Sequence, residues 1–119
     1  MSAPNIVNVT TIIGKTAVQA VGTSATAIVT NSAASNKVFK INSLVISNVD
    51  GTNNADITVD LFRSSVAYRL ANTISVPADA SLVVISKDTS IYLEEGDSIR
   101  LTASAVSDLE AVCSYEEIS

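Results

Sequence analysis

An all-β fold is predicted by the sequence, namely a single-domain β-sandwich of the jelly-roll or immunoglobulin-like type with about 8 to 9 short antiparallel strands. Two observations support this prediction. Ala, Val, Ile, Thr and Ser make up 70 of the 119 residues, and β-branched side chains suit a pleated, half-buried surface. Residues 74–102 then place three short apolar runs between turn signals, a spacing typical of sandwiches. A chain of 119 residues is long enough for one domain with one core.

The N-terminal part of the chain predicts three weak strands. Residues 5–13 form the opening strand, which ends at Gly14, and residues 17–21 and 25–30 are shorter runs. A helical turn over residues 15–21 is the alternative interpretation of the second run.

Residues 37–49 are the longest strand candidate. The apolar parity changes near Asn42 and Ser43, which predicts either a bulge or a strand buried on both faces. The Asp50-Gly51 pair that follows predicts a hairpin turn, because it is flanked by apolar alternation.

The next strand is read from strict alternation. Odd positions from Ile57 to Leu61 are apolar and point one way, whereas Asp56, Thr58 and Asp60 point to water. A short turn begins at Ser64-Ser65, and the apolar residues of positions 66–76 then fall on even numbers.

Turn residues divide the last third of the chain. Pro77 ends one run, two short runs follow at residues 82–85 and 91–93, and the acidic turn of residues 94–97 contains Gly96, which can adopt positive φ. Residues 109–118 alternate regularly and form the last predicted strand.

Charge is distributed unevenly along the chain. All twelve carboxylates lie at or after Asp50, so residues 1–49 carry +3 and the remainder carries −8. No basic stripe is available to neutralise phosphates, and nucleic-acid binding is not expected.

Residues 1–36 contain one charged side chain, Lys15, and exposed strands without charge are sites of edge pairing. Such a segment is buried either by the body of its own domain or by a neighbouring chain. In the second case residues 1–36 act as an assembly arm, with candidate contacts at Ile6, Val7, Val9, Ile12, Ile13, Val18, Val21, Ile28 and Val29.

The sequence offers few parts for catalysis. It has no histidine, the commonest general base and zinc ligand, so no enzymatic activity, metal or cofactor is expected. The glutamates lie in turns or at exposed parities, where no apolar pocket would raise a pKa. Residues 50–56 have oxygen ligands, but they lack the spacing of a calcium-binding EF-hand loop, and a plain turn is favoured. Cys113 lies at an inward parity and is interpreted as a small buried hydrophobe.

The cellular compartment is inferred from the cysteine content and the hydrophobic pattern of the sequence. A single cysteine cannot form an internal disulfide, which favours synthesis in a cytoplasm. The N-terminus lacks a signal-peptide pattern, and no apolar run approaches the ~20 residues of a membrane-spanning helix. Neither membrane insertion nor export by a signal peptide is expected.

Four segments of residues 37–119 carry a resemblance to a known class of proteins. The runs SLVISNVDGTNNADITVDL and ISVPADASLVVI, the turn IYLEEGDSIRLTAS and the ending DLEAVCSYEEIS together resemble small structural proteins of tailed-bacteriophage virions, especially phages of marine bacteria and cyanobacteria. The resemblance implies a β-sandwich that assembles on the capsid or tail, commonly as a symmetric oligomer, and that has no catalytic residues.

The leading hypothesis is a non-enzymatic capsid decoration or cement protein, located in the virion at the capsid surface or tail. Its expected partners are copies of itself, in a homo-oligomer such as a trimer, and the major capsid protein or other virion subunits. A neck, tail or fibre component is the first alternative. The second is a carbohydrate-binding or adhesin module that uses Tyr68, Arg69 and Tyr92 with the loop of residues 50–56.

Overall fold

Nine β-strands form two antiparallel sheets that pack face to face in the computed structural model, which describes residues 4–119. One three-residue 3-10 helix, Lys87–Thr89, lies between the sixth and seventh strands. No helix in the described residues is long or apolar enough to cross a membrane. The strands are β1 Ile12–Ala20, β2 Thr26–Thr30, β3 Val38–Asn48, β4 Ala55–Arg63, β5 Val66–Val76, β6 Ser81–Ile85, β7 Ile91–Leu93, β8 Ser98–Ala103 and β9 Leu109–Ile118.

The order of the strands identifies a jelly roll. Sheet 1 has the order β1-β9-β3-β6, with β7 also paired to β3, and sheet 2 has the order β2-β8-β4-β5. The pairs β1·β9, β2·β8, β3 with β6 and β7, and β4·β5 are nested, as in one long hairpin rolled up so that successive pairs alternate between the sheets. The predicted all-β sandwich is therefore confirmed, and its connectivity is the jelly-roll one.

The core lies between the sheets and is built almost entirely from aliphatic side chains. Strand β3 contributes Ile41, Leu44 and Ile46, all fully buried, and β8 contributes Ile99 and Leu101 from the facing sheet. The inward parity of β3 changes from odd to even because the register with β9 shifts between Ile41 and Ser43. The bulge predicted at this position is confirmed.

The first strand differs from its prediction. It runs from Ile12 to Ala20, straight through Gly14 and Lys15, and the expected strand over residues 5–13 and helical turn over 15–21 are both wrong. Nine consecutive positions pair with β9, and this non-local pairing decides the structure of a segment whose own propensities are weak.

The turn at Asp50-Gly51 is not a hairpin, because β3 belongs to sheet 1 and β4 to sheet 2. Asp50 Oδ1 accepts the backbone N–H of Thr52, while the buried Asn48 donates its Nδ2 to the carbonyls of Asn53 and Val76. These bonds hold the chain as it crosses between the sheets. The tight hairpin joins β4 to β5, where Ser64 and Ser65 have φ of 52° and 61°, the two positive values of a type I′ turn.

Candidate functional site at the open edge strands

Five strands have only one hydrogen-bonded neighbour within residues 4–119. We call these strands, β1, β2, β5, β6 and β7, the open edge strands. Strands β1 and β2 contact each other along one side of the sandwich, where Gln19 Nε2 donates to the Ala27 carbonyl at 3.0 Å. Strands β5 and β6 contact each other along the opposite side. The molecule thus has two sides at which unpaired backbone N–H and C=O groups are presented.

The open edge strands carry almost no charge. Their only charged side chains are Lys15 on β1 and Arg69 on β5. Lys15 Nζ lies 2.6 Å from Glu117 of β9, and Arg69 forms an ion pair with Asp60 of β4. Both cations are therefore compensated inside their own chain, and neither strand contains the uncompensated charge or proline with which edges are ordinarily protected.

The Lys15 and Lys37 ammonium groups share one acid, Glu117. Lys37 Nζ reaches its other carboxylate oxygen at 2.9 Å. The two hydrogen bonds and charges hold the pKa of Glu117 below its ordinary value, and the same contact raises the pKa of Lys15. The contact with Lys15 links β1 to β9 through their side chains.

The predicted assembly contacts divide into exposed and buried groups. Val9 is half-buried, and Ile28 packs against the core. Val21, which directly follows β1, and Val29 of β2 are members of the core itself. These last three residues are occupied by their own chain. The exposed members are Ile6, Val7, Ile12, Ile13 and Val18.

Strand β5 is an exposed apolar edge that the sequence reading did not single out. Val66, Tyr68, Leu70 and Ile74 all project into solvent, although their even-numbered alternation resembles that of a buried face. Register shifts against β4 next to Val59 interrupt the alternation, and Thr73 adopts a positive φ there. The sequence signal was present as an apolar run, but the exposure of these side chains depends on the position of β5 at the edge of sheet 2.

A continuous row of valines crosses the outer face of sheet 1. Val18 of β1 pairs with Val112 of β9, Val112 with Val45 of β3, and Val45 with Val83 of β6. The row therefore spans the sheet from one open edge to the other. Its two end members are the most exposed, with Val18 at 74% and Val83 at 59% relative accessible surface.

The residues suggested for glycan binding do not form one site. Tyr68 pairs with Leu61 in sheet 2, whereas Tyr92 pairs with Lys40 in sheet 1. The loop of residues 50–56 lies at the other end of β4 from Tyr68, and Arg69 is bound to Asp60. The structure does not bring these groups together.

The acidic groups have structural partners. Arg63 donates Nε to Asp97 Oδ1 at 2.8 Å and an amino group to Glu94 Oε2 at 2.9 Å. Asp97 is buried, so its carboxylate is held within the chain rather than presented to solvent. Asp50 accepts bonds from Thr52 and Asn53, which lower its pKa, while desolvation and the neighbouring Asp50 raise the pKa of Asp108.

No cluster of three metal-ligating side chains occurs within residues 4–119. Cys113 is completely buried, and desolvation raises the pKa of its thiol to about 11, so it is a poor nucleophile at neutral pH.

Comparisons with known proteins add one finding about the fold. No family model matches the chain, and no curated protein matches it. Among solved structures, the chain is similar to a chain of Bacillus endospore appendages, which form a family of disulfide-linked pili. The two share a TM-score of 0.54 and 16% sequence identity over 92% of this chain and 88% of that one. At this identity the likeness shows a shared fold: the chain is built on the same sandwich as a protein of those pili.

Proposed function

We propose that this chain is a non-enzymatic structural subunit of a phage virion, which associates with copies of itself through its open edge strands and decorates the capsid shell. The observation that carries the proposal is the near absence of charge on all five of these strands. Their only charged residues are Lys15 and Arg69, and both form ion pairs within the chain. Monomeric β-proteins protect such edges, because unpaired ladders recruit other chains.

Strand addition suits a permanent structural role. Main-chain hydrogen bonds across an added strand provide affinity, and exposed apolar side chains beside them provide further burial at about 25 cal/mol per Å². Ile12, Ile13 and Val18 flank the β1 edge, and Tyr68 and Leu70 flank the β5 edge. Burial of these surfaces stabilises the protein only when a second chain covers them.

The capsid location rests on the resemblance of residues 37–119 to virion proteins and on charge. The exposed Glu110 on β9 and Glu94 in the turn after β7 would face solvent on a decorated shell, where net charge maintains solubility. Counting copies per virion by quantitative mass spectrometry tests this location. A number matched to the capsid lattice is expected, whereas a few copies would contradict decoration.

A neck, tail or fibre location is the second candidate. The similarity to a chain of endospore appendages favours it, because those appendages are filaments. The disulfide linkage of those pili does not transfer to this chain, since its one cysteine is buried in the core. A low copy number in the virion is the outcome expected for this alternative.

Self-association itself is tested by placing a charge on one edge. Val18→Lys puts an ammonium group at the β1 edge, and we expect it to shift the association midpoint to at least tenfold higher protein concentration in sedimentation velocity. Val106→Lys is the matched control, because Val106 is 65% exposed but lies in the turn between β8 and β9. Equal association of both variants and the wild type would refute an edge interface.

Deleting the N-terminal residues is not a suitable test of the interface. Residues 1–30 include two strands and the core residues Val21 and Val29. Their removal would expose the core of both sheets and confuse loss of contact with loss of folding.

A further inference from the structure

We infer that copies of this chain join head to tail, with the β1 and β2 side of one copy against the β5 and β6 side of the next, so that both sheets continue across the junction. The inference rests on the proposed self-association and specifies its geometry. The two sides of the molecule are different surfaces, so a contact between them is heterologous and can be repeated.

Strand direction supports this arrangement. All neighbours within each sheet are antiparallel, and the hydrogen-bonded path from β1 to β6 and that from β2 to β5 each contain four strands. The two edge strands of each sheet consequently run in opposite directions. A copy related by translation therefore brings β6 against β1, and β5 against β2, in antiparallel orientation in both sheets at once.

Strand length and composition fit the same junction. Each sheet pairs a long edge strand with a five-residue one: β1 with β6 in sheet 1, and β5 with β2 in sheet 2. Strands β2 and β6 contain no charged residue. The 3-10 helix after β6 carries Lys87 and Asp88 and marks the end of the charge-free segment.

The valine row defines the register in sheet 1. It ends at Val18 on one edge and at Val83 on the opposite edge, and both side chains lie on the outer face. Directly opposed residues in a sheet share a face, so continuing the row across the junction places Val83 of one copy opposite Val18 of the next. In this register Thr16–Ala20 of one copy pairs with Ser81–Ile85 of the other, and Lys15 lies outside the paired residues.

Cysteine pairing tests both the polarity and the register. Val18→Cys and Val83→Cys replace two exposed side chains, and the buried Cys113 does not compete. Opposed residues have Cβ atoms about 4.5–5.5 Å apart, close enough to form a disulfide after a small backbone adjustment. When the two single variants are mixed and oxidised with copper phenanthroline, we expect a cross-linked dimer that contains one chain of each, as identified by mass spectrometry.

Three further samples complete the test. Each single variant oxidised alone should remain uncross-linked, and the double variant should give a ladder of dimers, trimers and longer species. Val106→Cys mixed with Val83→Cys is the control for random collision and should give no dimer above background. Homodimers of Val18→Cys alone would overturn the head-to-tail geometry, as would a mixture with no more cross-linking than the control. The proposed self-association would survive either result if Val18→Lys still weakened it.

Discussion

Asp60 is a carboxylate kept out of water on the outer side of a sheet. Its position on β4 alternates with the core residues Ile57 and Val59, and the sequence predicts it to be solvated, yet only 2% of it is accessible. Arg69 of β5 bonds to it, and Arg100 of β8 lies opposite it with its guanidinium 3.9 Å from the centre of the Phe62 ring. Alternation correctly indicates the face but does not reveal which long side chains cover it.

Asp60→Asn is expected to lower the free energy of unfolding by about 1 to 3 kcal/mol, because a charge-assisted bond is lost while the half-exposed Arg69 stays solvated. Urea denaturation at neutral pH measures the change. Asp56→Asn on the same strand is the control, since Asp56 is only half-buried and forms no ion pair among the described residues. Equal midpoints for both variants would contradict the role assigned to the Asp60 pair.

Glu117 predicts a pH dependence. Its pKa is lower in the folded chain than its ordinary value of 4.5, so its contribution to stability is complete above that value and is lost as the pH falls through the folded pKa. Glu117→Gln should therefore destabilise the protein at pH 7 but lose its effect as the pH falls through the folded pKa of Glu117. Thermal unfolding over this range checks the sign, with Glu110→Gln as an exposed control on the same strand. A pH-independent difference would point to packing rather than charge.

At the scale of elements, local patterns predict the strands that lie in the middle of a sheet. The bulge of β3 and the full length of β9 follow from the alternation of apolar and polar residues in their own sequences. This alternation is clear because one face of each strand packs on the core and the other is more exposed to water. The edges are less predictable. The start of β1 is fixed by pairing with β9, a hundred residues away in sequence, and the exposure of β5 follows from its position at the edge of sheet 2. Of the open edge strands, the sequence therefore indicates only β1 and β2 as a contact surface.

The β4–β5 hairpin predicts a stabilising exchange. Ser64 and Ser65 both adopt positive φ, which non-glycine residues rarely do, and type I′ turns favour Asn-Gly. Replacing the pair by Asn-Gly should raise the free energy of unfolding by roughly 0.5 to 1.5 kcal/mol. Urea denaturation tests this, and Ser65→Ala, which retains a Cβ at the strained position, should give no gain. A loss of stability in the Asn-Gly variant would contradict the turn assignment.

At the scale of the whole molecule, the two open sides predict how mass depends on concentration. Two unlike sides that bind each other allow a third copy to add as readily as the second, so no single closed species such as a trimer is favoured. Sedimentation velocity between micromolar and millimolar protein should show a weight-average mass that rises continuously. A single sharp species across this range would instead support a closed ring.

The four-strand path from one edge to the other in each sheet has a consequence for polymer growth. A row in which every subunit contacts only the one before and the one after is a one-dimensional polymer, and each addition contributes the same free energy. Such growth has no nucleus and no critical concentration, so its mean length follows mass action alone. The virion role proposed above requires parts of fixed size. For this chain, length would accordingly be determined by the surface on which it assembles, since its own two sides contain no signal to stop.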